Sequence, residues 1–236
     1  MRVRTEDKRQ AIIEIAGELF EELGYDRTSM SLISQKVGGS KATLYGYFKS
    51  KEELLLASLY VDISSNSEKM LDTILRARTL RDGLIELGIA YMTRRLERRP
   101  ISNVRTMAAQ REESGIGKEF YAKILRPAWQ IFADRLGRLM DAGILQPADP
   151  WTVAMQWKGL LETDMFDRRL MGAIREGDPK EIREAAVQAA DIILKVYGNE
   201  GAADVNVPDV LASAEERAKL QAAPPASGKR SRKKAA

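Results

Sequence analysis

Lys41, Ala42, Thr43, Tyr45 and Tyr47, with Lys36, Lys49 and Lys51 around them, gather amines and hydroxyls into one short stretch. Ammonium groups neutralise phosphate, hydroxyls bond its oxygens, and small side chains approach base edges. From Arg27 to Lys51 there are five basic residues and no acidic one. The chemistry implied is recognition of a polyanion, not the making and breaking of bonds. The chain of 236 residues has no cysteine and no histidine, which removes thiol chemistry, disulfides and the commonest general base and metal ligand. Its acidic residues are scattered over helix faces, which disfavours a metal-dependent recombinase or transposase head. Neither catalytic residues nor a metal nor a cofactor is expected.

Two short helices must hold those groups outward. Ile33/Val37 and Leu44/Phe48 are apolar pairs four residues apart, the spacing that sets both members on one helix edge. Between them Gly38-Gly39-Ser40 supplies a tight turn and then a cap. Ser29 and Ser50 are placed to cap the first helix and a third one, as Ser40 caps the second. The result is a helix-turn-helix whose short second helix enters the major groove of DNA. The same corner also occurs in helical enzymes or carriers that never meet DNA. Sequence-selective, salt-dependent duplex binding separates the two.

The order L-I-S-x-x-V-G-G-S-K-A-T-L-Y-G-Y-F-K-S-K-E-E-L resembles the N-terminal domain of the TetR family of bacterial transcriptional regulators. The likeness covers roughly Lys8 to Leu59. It implies that Ser40 opens the recognition helix, that Lys41, Ala42 and Thr43 face base edges, and that Thr28, Tyr45, Tyr47 and Lys51 face phosphates, with Leu44 and Phe48 structural. One departure concerns the turn, where the family usually has Ala-Gly-Val-Ser and this chain has Val37-Gly38-Gly39-Ser40. The second glycine predicts a somewhat looser reading head.

The chain divides into a flexible arm over 1–7, the helix-turn-helix domain over 8–50, a helical ligand-binding and dimerisation domain over 51–198, and a disordered basic tail over 199–236. The fold class expected is all-α. A bracing helix runs from about Asp7 to Leu23 and stops at Gly24, and a long helix from Lys51 to about Ala77 carries any movement felt by the head. Helices are expected over 80–97, ended by Pro100, over 101–112, over 118–141 with a kink at Pro127, over 150–175 and over 179–197. Asp149-Pro150 and Asp178-Pro179 are the starts of the last two. No apolar run is long enough to span a membrane, and no secretory signal is visible, so a cytoplasmic protein is expected.

The net charge of +4 is uneven: residues 201–236 carry seven basic and four acidic side chains, leaving the body nearly neutral. On the last helix Ile182, Ala186, Ala189 and Ile193 share one side with small residues that permit close approach. Ordinary intramolecular core fits that pattern equally well. Gln156 to Gly172 also resembles a C-terminal domain from one branch of the same family, which implies a four-helix homodimer interface including Trp157, Leu161, Ile182, Ala186, Ala189 and Ile193. Between them, Tyr91, Met92, Met107 and Tyr121 with Trp129, Phe132, Trp157 and Met165 are candidates to line a site for a small apolar or amphipathic effector. The reading is a homodimeric repressor of a palindromic operator, released by that effector.

Overall fold

The computed structural model describes residues 5–211, apart from the side chains of Asn66, Glu68, Lys69 and Leu71. The fold is all-α, and among the described residues the only extended pairing is an isolated bridge between Leu145 and Gly198. Helix α1 (Glu6–Leu23) ends at Gly24, whose φ of 86° is one that a β-carbon disfavours. Helices α2 (Met30–Val37), α3 (Lys41–Tyr47) and α4 (Lys51–Arg76) start on Ser29, Ser40 and Ser50. Each serine oxygen accepts from the backbone N–H three residues on, at 3.2, 3.1 and 3.1 Å. These caps satisfy amides that have no partner inside the helix.

Helices α5 (Leu80–Arg95) and α6 (Arg98–Ala108) follow. Pro100 does not terminate α5, as the sequence suggests. It lies in the first turn of α6, where its missing N–H leaves no bond unmade. The single kinked helix expected over 118–141 is three pieces: α7 (Ile116–Phe120), a π-helical segment (Tyr121–Leu125) and α8 (Arg126–Asp141). Pro127 cannot donate and its ring crowds the carbonyl four residues back, so the widened turn before it relieves the clash.

The helix expected over 150–175 is likewise broken, into α9 (Pro150–Glu162) and α10 (Met165–Met171), at Thr163 with its positive φ of 40°. The aspartate caps of α9 and of α11 (Pro179–Tyr197) form as expected, Asp149 accepting from the Thr152 amide at 2.9 Å and Asp178 from the Lys180 amide at 2.8 Å.

Residues 199–211 are not a tail. The Asn199 amide donates to the Ile144 carbonyl at 3.0 Å, the Leu80 amide donates to Val205 at 2.9 Å, and a final helix α12 (Val207–Leu211) buries Val207 and Leu211 in the main core. The apolar residues Val205, Val207 and Leu211 carry this return, against a background of Ala, Asp and Asn that reads as linker. At the other end Glu6 and Asp7 belong to α1 and not to an arm. Residues 1–4 of the expected arm and 212–236 of the expected tail, including the run Lys229–Lys234, lie outside the described residues.

Two apolar cores result. The head core joins Ile12, Phe20, Ile33, Leu44 and Phe48 to Leu54, Leu55 and Leu59 of α4, so the head extends past residue 50. Ile116 and Ile124, from α7 and the π-helical segment, are buried in it too. The second core packs α5, α8, α9 and α11 together with α12. All six residues expected at a dimer interface, Trp157, Leu161, Ile182, Ala186, Ala189 and Ile193, are at most 4% exposed inside this core. The small residues of α11 do permit close approach, but to α5 of the same chain: a β-carbon on Gly88 would sit 3.1 Å from that of Ala186.

Candidate nucleic-acid interface and cavity

On α3 the inner edge, Leu44 and Phe48, is fixed in the head core, and the outer edge presents Lys41, Ala42 and Tyr45 to solvent. Tyr45, a large ring with a polar tip, is 49% exposed. Ser40 is exposed, and its oxygen lies 2.9 Å from the Thr43 hydroxyl, so the half-buried Thr43 is positioned by the cap itself. The half-buried Tyr47 accepts from the Thr5 amide at 3.3 Å. Lys36 and Lys49 are exposed on the flanks.

Two expected phosphate contacts are placed differently. Thr28 is 0% exposed, and its hydroxyl lies 2.9 and 3.1 Å from the carbonyl oxygens of Gly24 and Leu19, which ties it to the C-terminal end of α1. Lys51 turns inward, donating to the Tyr25 carbonyl at 2.9 Å with its ammonium 3.9 Å from the centre of that ring. Tyr25, which sequence reasoning passed over, also donates to Glu52 at 2.9 Å. Burial, and then the bond to Glu52 and its charge, push the Tyr25 hydroxyl well above the usual phenol range, so it remains a donor. The signal was available in a tyrosine immediately after the glycine that ends α1.

Between α4, α5, α6 and α8 opens a cavity of about 500 Å³, a size that holds a drug-sized molecule. Tyr91, Met107, Trp129, Phe132 and Trp157 line it, as expected. Met92 and Met165 do not: both are 0% exposed and fill core. Tyr121 points away and is 48% exposed. The rings touch in sequence, Tyr91–Trp129 at 5.2 Å edge to face, Trp129–Phe132 at 6.4 Å and Phe132–Trp157 at 4.8 Å.

Charged residues line the same space, and sequence reasoning missed them. Arg94, Arg95, Lys158 and Asp62 all face it. Glu162, just behind, accepts from Tyr91 at 2.5 Å, from Arg95 at 3.1 Å and from Lys158 at 2.5 Å. Burial raises the Glu162 carboxyl, but the bonds from Lys158 and Tyr91 and the charges of Lys158 and Arg95 outweigh it, so its pKa falls below the usual value. Burial, then the Glu162 charge, raise the Tyr91 hydroxyl well above its ordinary range. Asp62 pairs with Arg94 at 2.5 Å and lies 3.8 Å from Arg99, which also reaches Glu21 on α1 at 4.0 Å. Lys158 and Glu162 stand four apart on one helix, a spacing legible as a pair but not as a buried one.

Residues 12–58 match the family described as bacterial regulatory proteins, tetR family, and residues 82–199 match the AefR-like transcriptional repressor, C-terminal domain. Over 48 residues the chain is 40% identical to an uncharacterized HTH-type transcriptional regulator, YhgD, of Bacillus subtilis. That stretch is 20% of this chain and 25% of the relative. Over 54 residues it is 43% identical to HTH-type regulators of Staphylococcus aureus, covering 23% of this chain and 29% of theirs. The chain thus spans about a quarter of the length of the curated relatives it matches. A putative TetR-family regulator from Mesorhizobium loti superposes with a TM-score of 0.75 at 24% identity, over 84% of this chain and 100% of that one. The flavonoid-responsive regulator FrrA superposes with a TM-score of 0.61 at 25% identity, over 82% and 98%.

Proposed function

The chain belongs to the TetR family of transcriptional regulators, which are not enzymes, and on that premise we propose that it represses transcription from the cytoplasm, binding a palindromic operator as a homodimer until a small molecule releases it. The observation that carries the DNA reading is the two-faced α3, with Leu44 and Phe48 locked inside and Lys41, Ala42 and Tyr45 free outside. A helix anchored this way enters a groove without reorganising. The helical enzyme or carrier with an incidental corner has no such support.

The second copy docks on the outer faces of α9 and α11. There Gly159 and Leu160 meet Ile192 and Val196, which are 42% and 53% exposed and form a shallow apolar groove. Isologous packing of that face gives the two-fold symmetry that a palindrome requires. The effector occupies the cavity. FrrA is named for its response to flavonoids, which supports a small aromatic effector here.

Two routes lead from the cavity to the head. Asp62, Ile63 and Met70 belong to α4, the route expected from sequence. Phe120 and Leu125 line the cavity while their neighbours Ile116 and Ile124 sit in the head core, so a shift in α7 or the π-helical segment reaches the head directly. An effector favouring the non-binding arrangement by about 1–3 kcal/mol changes operator affinity roughly 5–150-fold.

Selection of bound fragments from random duplex DNA, followed by footprinting, tests the proposal. A symmetric pair of half-sites is expected. Lys41→Ala should relax preference at one position of each half-site at a cost of about 1–3 kcal/mol, whereas Tyr45→Phe should weaken all duplexes alike. Protection of one unsymmetric site defeats the homodimer, and loss of sequence preference by Tyr45→Phe alone reverses the two roles.

A further inference from the structure

We infer that the cavity selects a planar aromatic effector bearing an anionic acceptor, a carboxylate or phenolate, over neutral and cationic aromatics of the same shape; this rests on the reading of the cavity as the effector site. The walls favour a flat ring. Tyr91, Trp129, Phe132 and Trp157 form a run of edge and tilted contacts that a π-system extends.

The polar end decides the charge. That end gathers Arg95, Lys158 and the Tyr91 hydroxyl on Glu162. Glu162 alone serves three donors there, so that end holds two cations against one carboxylate. Arg95 and Lys158 both line the cavity, whereas Glu162 lies behind it. A bound carboxylate supplies the missing negative charge and accepts from those two cations. A cationic ligand does not, and has to displace Arg95 or Lys158 from a carboxylate they already hold. At the far end Asp62 is taken by Arg94 and Arg99, so no free anion attracts a cation there.

Three probes with the same ring system separate these possibilities on the full chain: 2-naphthoate, 2-naphthylmethanol and 2-naphthylmethylammonium, titrated by calorimetry with tryptophan quenching as a second readout. Naphthoate should bind at least about tenfold tighter than the alcohol, the low end for a hydrogen bond to a charged group, and the ammonium should bind weakest. Lys158→Gln removes one of the two cations without touching the apolar packing. It should bring naphthoate to within about threefold of the alcohol. Arg95→Gln should act in the same direction, which covers the case in which Lys158→Gln fails to fold. If the alcohol or the ammonium binds as tightly as naphthoate, the anion preference is overturned while the effector site stands. Binding by none of the three removes the cavity as an aromatic site and both readings with it.

Discussion

On α3 the residues that hold the helix and the residues proposed to meet DNA lie on opposite faces: Leu44 and Phe48 are buried, Lys41, Ala42 and Tyr45 exposed. On α9 the two sets share a face. Trp157 packs in the core with Val153 and Leu161 and also lines the cavity beside Lys158. Where function faces out, helical period separates it from packing, because apolar and polar residues fall on different edges. Where function faces in, the same period hides it, since lining and core are both apolar and both periodic.

The largest test of that contrast is on α11. Its inner face reads as an interface by composition, yet Ala186 is 0% exposed against Gly88 and Leu161 of the same chain. Ala186→Arg should therefore unfold the protein, losing about 3–5 kcal/mol for an unpaired buried charge. Ile192→Arg, on the outer face at 42% exposure, should leave the subunit's stability within about 0.5 kcal/mol while converting dimer to monomer. Urea denaturation and sedimentation read the two effects apart. A well-folded Ala186→Arg protein, or an unaltered dimer from Ile192→Arg, breaks the assignment of inner and outer faces.

How much of this was visible beforehand follows the same division. The serine caps of α2, α3 and α4 and the aspartate caps of α9 and α11 were legible because capping is local, a side chain reaching an amide two or three residues on. The π-helical segment before Pro127 was not, because a proline inside a helix declares a defect without saying which form relieves it. Nor was the break at Thr163, whose positive φ no residue type announces. Of the candidate site, Lys41, Ala42 and Tyr45 were legible as exposed, Thr43 and Tyr47 are half-buried, and five of the eight residues named for an effector site line the cavity. The inward turn of Thr28 and Lys51 was not legible, since burial depends on α1 and Tyr25, brought near by the fold. The network of Glu162 with Tyr91 joins residues 71 apart in sequence, a distance over which no spacing rule reaches.

That network should show itself in acid. The Glu162 pKa is lower folded than unfolded, so its contribution is fully present above the unfolded carboxyl value, about 4.3, and is lost as pH falls through the folded one. Melting temperature followed from neutral pH down through that window should fall less steeply in Glu162→Gln than in the parent. The variant's loss should already be complete at neutral pH, where Arg95 and Lys158 have lost their counter-charge. The head offers the control, because Tyr45→Phe changes an exposed group and should leave the acid limb as it is. Parallel curves for parent and Glu162→Gln would mean that the inward-facing charges carry no more stability than a solvated pair.

The smallest effect separates two adjacent glycines in the turn before α3. Gly38 ends α2 in the left-handed region, with φ 70°, and its amide donates to the Gln35 carbonyl. An alanine there is forced against its own carbonyl, so Gly38→Ala should cost about 1–2 kcal/mol. Gly39 has no positive φ, and a β-carbon on it would meet nothing within 4 Å. Its freedom serves no turn requirement in this structure and only enlarges the unfolded ensemble, so Gly39→Ala should stabilise by about 0.4–1 kcal/mol. Urea midpoints compared at equal slope give both signs in one experiment. Operator affinity then says whether the looseness expected of the head has a use. If Gly39→Ala is more stable and binds operator as well as the parent, the second glycine is only a defect in the turn. If it is more stable and binds worse, the chain before α3 must change conformation on DNA, and the outward face of the head is less pre-formed than Leu44 and Phe48 make it.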